Sequence, residues 1–324
     1  MRQLPGRHRR QPLPEQQPKS ASDDPAAPAK LRAIIGNSSY READHDPDFL
    51  NRDDMRGIRL MLDYLKPQTL LDEQNIAHTI VVFGSTRIAE PSAAQRLCDA
   101  LTTMLAAKPD DADLCRRLEI ARRVLAKSRY YDMAREFGRL VGLCGDKASG
   151  GRIMVMTGGG PGIMEAANRG AHDTGAKSIG LNIALPHEQF PNPYVSPELC
   201  FSLHYFAMRK LHFLMRARAL VAFPGGYGTL DELFEVLTLA QTRKAQPVPV
   251  ILVGEDYWRR VLDFDFLVAE GTIEPEDREL FWYAETATDI WRDILQWYEM
   301  KGTPLLPPEP PNEISGPAYA GRGR

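Results

Sequence analysis

The 324-residue chain has little of what would mark several large protein classes. Four cysteines (Cys98, Cys115, Cys144 and Cys200) are scattered without a C-x-x-C pair, which leaves neither a disulfide framework nor a zinc ribbon. No apolar run reaches the ~18 residues needed to cross a bilayer, so no membrane partner is expected. The net charge of −3 carries no basic excess of the kind that recruits nucleic acid. Histidine, cysteine and acidic residues form no cluster at metal-ligand spacing, so no metal and no cofactor are expected. No internal repeat is present. The N-terminus is basic at Arg2, Arg7, Arg9 and Arg10 but lacks a signal segment or an amphipathic targeting run, and a reducing cytoplasm suits the cysteines.

What is present is enough apolar sequence, 43 %, to bury a full enzyme-sized core. Residues 1–30 and 302–324 are dense in Pro, Gly, Ser and charge and are expected to stay disordered. Residues 31–75 should form a helical extension, with a helix over Asp48–Lys66 (Met55, Ile58, Leu62 and Leu65 on one face) ended by Pro67. Within 76–301, short apolar runs at Thr79–Phe83, Ile153–Met156, Ser178–Ile183, Ala219–Phe223 and Val248–Val253 read as strands covered on both faces. They alternate with helical patterns at about Ala93–Leu105, Leu114–Leu125, Tyr131–Leu143, Gly162–Thr174, Phe206–Arg216 and Thr229–Gln241, before a last helix near Thr288–Met300. That alternation predicts an α/β fold: a Rossmann-like, doubly wound parallel sheet flanked by helices, with the N-terminal helical segment added.

In such a sheet, ligands bind beyond the carboxyl ends of the strands. Ala219–Phe223 runs straight into Pro224-Gly225-Gly226-Tyr227-Gly228-Thr229 and then a helix, so Gly225, Gly226, Gly228 and Thr229 offer backbone N–H groups, a hydroxyl and a helix N-terminus to an anion such as phosphate. Ile153–Met156 likewise feeds Thr157-Gly158-Gly159-Gly160-Pro161-Gly162, and Gly158, Gly159 and Gly160 are expected on the same ligand. Neither loop is a dinucleotide fingerprint or a Walker loop, which demotes hydride transfer and triphosphate hydrolysis. A third strand end, Phe83-Gly84-Ser85-Thr86-Arg87, adds the Ser85 hydroxyl and the Arg87 guanidinium.

At these residues the chain resembles the LOG-type proteins, cytokinin-activating phosphoribohydrolases long labelled lysine decarboxylases. Their P-G-G-x-G-T-x-x-E motif is matched in full by Pro224–Glu232, and their arginine–lysine pair by Arg209-Lys210, 23 residues before Glu232. The resemblance covers about His78–Val253. Tyr205-Phe206-Ala207-Met208 departs from the short members' Met-His-x before the pair, and the first Gly-rich loop is one residue shorter than theirs, as in a longer branch.

The resemblance implies a hydrolase acting on an N-glycosyl bond: a nucleoside 5′-monophosphate, AMP or an N6-modified relative, cleaved to free base and ribose 5-phosphate by a homodimer with sites near the subunit interface. Such a bond breaks through a ribose cation-like state, which calls for a carboxylate near the anomeric carbon. Glu232, one turn after the phosphate loop, is the choice. Arg209 would orient Glu232 or bind base or phosphate, Lys210 would act similarly, and Glu165 would contact ribose hydroxyls. His204 and His212 flank Arg209 without a role. Pyridoxal chemistry finds no assignable Schiff-base lysine with a partner for the pyridine nitrogen. The alternative is a nucleotide-binding or sensing protein without turnover.

Overall fold

The computed structural model describes residues 17–145, 151–185 and 190–307. The chain divides into two compact units, Met1–Met61 and Leu62–Arg324. In the first, helix α1 (Ala27–Ile35) starts inside the stretch expected to be disordered, while the expectation for 1–16 lies outside the described residues. Asp46 caps the short α2 (Pro47–Leu50) through the Phe49 N–H.

Helix α3 (Arg56–Glu73) corrects the helix expected over Asp48–Lys66: it starts later and runs through Pro67. Pro67 cannot donate to the Asp63 carbonyl one turn back, an omission that usually ends a helix. Here His212 Nε2 takes the missing position, 3.1 Å from that carbonyl oxygen.

The second unit is built on seven parallel strands: β1 (Ile76–Phe83), β2 (Arg152–Thr157), β3 (Ile179–Ile183), β4 (Cys200–Leu203), β5 (Ala217–Ala222), β6 (Val250–Val253) and β7 (Trp282–Ala284). Their order, β4-β3-β2-β1-β5-β6-β7, is that of a doubly wound sheet. The winding reverses between β1 and β5, so a crevice opens beyond their carboxyl ends.

One face of the sheet packs on α6 (Arg129–Cys144), α7 (Ile163–Asp173) and α12 (Ala287–Met300), with Phe137, Ile163 and Ile290 fully buried. The other packs on α8 (Phe206–Met215), α9 (Tyr227–Gln241), α10 (Glu255–Val261) and α11 (Phe264–Ala269), with Phe213, Leu233 and Trp258 at its centre. Helices α4 (Pro91–Ala107) and α5 (Ala112–Lys127) share a smaller cluster around Cys98 and Leu118. Residue Leu305, which composition placed in the C-terminal tail, is buried in the first core. Among the described residues no helix is long and apolar enough to cross a membrane.

Candidate active site

Three strand ends meet at the switch point. The Ser85 N–H after β1 donates to the Pro224 carbonyl after β5 (3.0 Å), and the Ser85 carbonyl accepts from the Ile163 N–H that opens α7 (3.2 Å). This one residue therefore bonds to both Gly-rich loops. Gly162 makes the approach possible: its φ is +74° and a Cβ there would lie 2.4 Å from the Ser85 carbonyl oxygen.

The first Gly-rich loop is fastened by a buried polar network. The Thr157 hydroxyl donates to Asn168 Oδ1 (2.8 Å) and accepts from the Gly159 N–H (2.9 Å). Asn192 Nδ2 donates to the Gly160 carbonyl and to Asn168 Oδ1, each at 3.0 Å. Every bond runs between atoms shielded from water, where a fully satisfied network rigidifies a loop.

These loops enclose a cavity of about 500 Å³ lined by Ser85, Arg87, Gly158, Gly226, Gly228, Thr229, Arg209 and Glu232, together with Thr86, Met164, Asn182, Ile183, Leu185, Phe206, Phe213 and Tyr227. Of the residues picked from sequence, the first eight converge. Gly225 supports from behind: its carbonyl accepts from the Tyr257 hydroxyl (2.6 Å), and a Cβ on it would strike the Thr229 hydroxyl. Gly159 and Gly160 face the Asn182–Asn192 network and are absent from the lining.

Glu165 is a correction: it turns to α6, accepts from the Tyr131 hydroxyl (2.8 Å) and is absent from the cavity lining. Lys210 is another, binding Asp231 (2.8 Å) and Glu235 (3.2 Å) so that it locks α8 to α9 outside the lining. The aromatic run Phe281-Trp282-Tyr283 forms edge strand β7 and its lead-in, away from this cavity. Asn182 escaped the sequence reading, although a lone amide in the apolar strand Ile179-Gly180-Leu181-Asn182-Ile183 was a usable signal.

Glu232 and Arg209 are the charged heart of the site. Glu232 sits in the first turn and a half of α9, only 4 % exposed, with its Oε1 3.6 Å from Arg209 Nη2. That separation is an ion pair without a tight hydrogen bond. Burial pushes the Glu232 carboxyl up to about 7, against the pull of Arg209 and Lys210. Burial likewise pulls the Arg209 guanidinium down from its ordinary value. Phe206 and Phe213 flank that guanidinium, 5.0 and 5.8 Å from their ring centres, and its Nε is buried without a hydrogen-bond partner among the described residues.

A larger crevice of about 740 Å³ opens at the opposite end of the strands, beside Arg216, Arg218, Lys244 and Lys301. Helices α8, α9 and α12 end there, so these cations meet the negative ends of three helix dipoles.

A family model described as "Possible lysine decarboxylase" matches residues 164–294. The chain is 32 % identical over 175 residues to the cytokinin riboside 5′-monophosphate phosphoribohydrolase LOG3 of Arabidopsis thaliana, which covers 53 % of this chain and 77 % of that protein. The chain belongs to the LOG family. It is also 36 % identical over 140 residues to a rice protein (Oryza sativa subsp. japonica) named "Probable cytokinin riboside 5'-monophosphate phosphoribohydrolase LOGL5", where the match spans 42 % of this chain and 56 % of the rice protein. Among solved structures it is similar to the Moco carrier protein of Chlamydomonas reinhardtii, at 18 % identity and a TM-score of 0.40 over 69 % of this chain and 98 % of that one. The LOG-family match includes both Arg209 and Glu232, so the paired charges lie in the shared part of the chain.

Proposed function

We propose that the protein hydrolyses the N-glycosidic bond of a nucleoside 5′-monophosphate, AMP or an N6-modified AMP, to free base and ribose 5-phosphate. The observation that carries this reading is the buried Glu232 carboxyl, held near neutrality, one turn behind a helix N-terminus built for phosphate. The curated relatives named above, phosphoribohydrolases of cytokinin nucleotides, support the same reaction.

The 5′-phosphate binds at the N-terminus of α9, where the first N–H groups have no partner inside the helix and the dipole favours an anion. The Ser85 and Thr229 hydroxyls and the Arg87 guanidinium surround the same cavity. The ribose then reaches Glu232. As the C1′–N bond breaks, its electron pair leaves with the base, and the ionised Glu232 stabilises the positive charge growing on the ribose. A water oxygen forms the new bond to C1′, Glu232 takes a proton from that water, and the departing base takes up a proton from solvent, to which Glu232 later returns its own. A pKa near 7 leaves much of Glu232 ionised at neutral pH yet still basic enough to accept that proton. Arg209 holds Glu232 in place. Ile183, Leu185, Met164 and Phe206 give the cavity an apolar wall for the base and any N6 substituent.

The protein acts as a homodimer: Phe206, Leu211 and Met215 on α8 and Phe234 on α9 are exposed apolar residues suited to a second copy. It works in the cytoplasm, whose reducing conditions suit four unpaired cysteines. Base release from a panel of purine nucleoside monophosphates, with matching nucleosides as controls, tests the activity. Release that needs the 5′-phosphate and vanishes in Glu232→Ala is expected; nucleotide binding without release by the wild-type protein would overturn hydrolysis and leave a binding protein.

A further inference from the structure

Helix α8 carries Arg209 but has no side-chain cap of its own. Its opening is capped from a distant helix: the N–H groups of His204 and Tyr205 donate to Asp63 Oδ2 of α3, at 2.8 and 2.9 Å. The backbone of the same residue makes a second tie. Pro67 leaves the Asp63 carbonyl without its helical donor, and His212 Nε2 lies 3.1 Å from it, so that nitrogen carries the proton. The Tyr64 ring stacks on the His212 imidazole, with centroids 5.8 Å apart and planes at 21°. His212 is only 2 % exposed, and burial keeps its pKa low, with Arg216 acting in the same direction and Asp63 and Tyr64 opposing. A neutral ring with a single N–H therefore makes the bond.

The two ties bracket Arg209: one holds the backbone four and five residues before it, the other a side chain three residues after. We infer that Asp63 is a positioning residue for the site, using its carboxylate and its proline-freed carbonyl to set where α8 lies and hence the Arg209–Glu232 separation. This rests on the reading of Arg209 and Glu232 as the working pair. In this inference Pro67, which would be expected to stop α3, is what frees a carbonyl to grip α8.

The test uses the full chain and reads the Glu232 carboxyl by ¹³C NMR of glutamate-labelled protein, assigned with Glu232→Gln, alongside thermal midpoints and nucleotide kinetics. Groups facing Glu232 are Arg209 and Lys210 on α8, which are expected to recede together, and Asp231 and Glu235 on α9, which are expected to stay. Asp63→Ala should raise the Glu232 pKa by about half a pH unit or more as Arg209 recedes, and lower kcat at least tenfold with KM changed less than threefold. Asp63→Asn, which keeps an oxygen acceptor, should restore most of both. His212→Ala should lower the thermal midpoint and disturb Glu232. Adding Pro67→Ala to it returns a donor to the Asp63 carbonyl, so the midpoint should recover while the Glu232 titration does not.

An unshifted Glu232 titration and kcat within twofold of wild type in Asp63→Ala would overturn the inference. So would recovery of the titration by Pro67→Ala. If Asp63→Ala does not fold, Asp63→Asn and the His212 pair decide alone. Should the wild-type protein release no base while the Glu232 titration still moves as stated, positioning stands and the phosphoribohydrolase reading falls.

Discussion

Replacing Glu232 with glutamine should stabilise the protein above neutrality and leave its stability unchanged in acid. The carboxyl is pushed from its ordinary 4.5 to about 7 because ionisation inside the cavity loses more hydration than Arg209 returns. A carboxyl with a folded pKa above its unfolded one binds its proton more tightly in the folded state. Its contribution to stability is thus complete below 4.5 and is lost as pH rises through 7. At about 1.36 kcal/mol per pH unit the whole loss is roughly 3 kcal/mol. Glutamine resembles the protonated form, which also leaves Arg209 without a counter-charge, so the variant escapes only the cost of ionisation.

Calorimetry of wild type and Glu232→Gln at pH 4 to 8.5 measures this directly. With an unfolding entropy of about 2.1 cal/mol/K per residue, roughly 3 kcal/mol corresponds to a midpoint about 5 °C higher for the variant at pH 8. The difference should vanish near pH 4 and open mainly between 4.5 and 7. A constant difference, or a variant less stable than wild type at pH 8, would refute the argument and show that the ionised carboxylate is well solvated or more than compensated by Arg209.

Removing Arg209 has the opposite electrostatic effect: Arg209→Met should lower kcat/KM at least a hundredfold and move the acid limb of the pH–rate profile above 7, because Glu232 loses the cation that pulls its pKa down. The second Gly-rich loop separates ligand approach from internal fit. Cβ atoms on Gly226 and Gly228 would meet nothing among the described residues within 4 Å, so Gly226→Ala and Gly228→Ala should melt within about 1 kcal/mol of wild type yet raise nucleotide KM about tenfold. Gly162→Ala should instead cost at least ~2 kcal/mol in chemical denaturation, since its φ of +74° and the Ser85 carbonyl both oppose a side chain. Asn168→Leu leaves Thr157, Ser178 and Asn192 short of partners. It should cost about 2–3 kcal/mol and raise KM more than it lowers kcat, as checked by denaturation and steady-state kinetics.

Much of the molecule was legible before any coordinates. Five strands follow from short apolar runs, because strands buried on both faces need no alternation. The Gly-rich turn and the helix start behind it follow from Pro224–Thr229 between a strand and a helix, since close backbone approach and a helix N-terminus are local properties. Strands β4 and β7 escaped: Cys200–Leu203 and Trp282–Ala284 are too short for periodicity to register and take their extended form from the neighbouring strand.

Glu165 and Glu232 show where local reasoning stops. Both are acids near the start of helices that follow Gly-rich loops, Glu165 in the first turn of α7 and Glu232 in the second turn of α9. Only the packing of α6 turns Glu165 to the Tyr131 hydroxyl, and only the closure of α8 over α9 buries Glu232 beside Arg209. Pro67 makes the same point for the backbone, because its helix continues by virtue of a histidine 145 positions further along the chain. The sequence by itself determined the alternating elements, the glycine turns and the residue types at the strand ends, since each depends on near neighbours. Tertiary structure alone decided which charges meet and how far water is excluded from them, since burial and pairing are set by segments far apart in the chain.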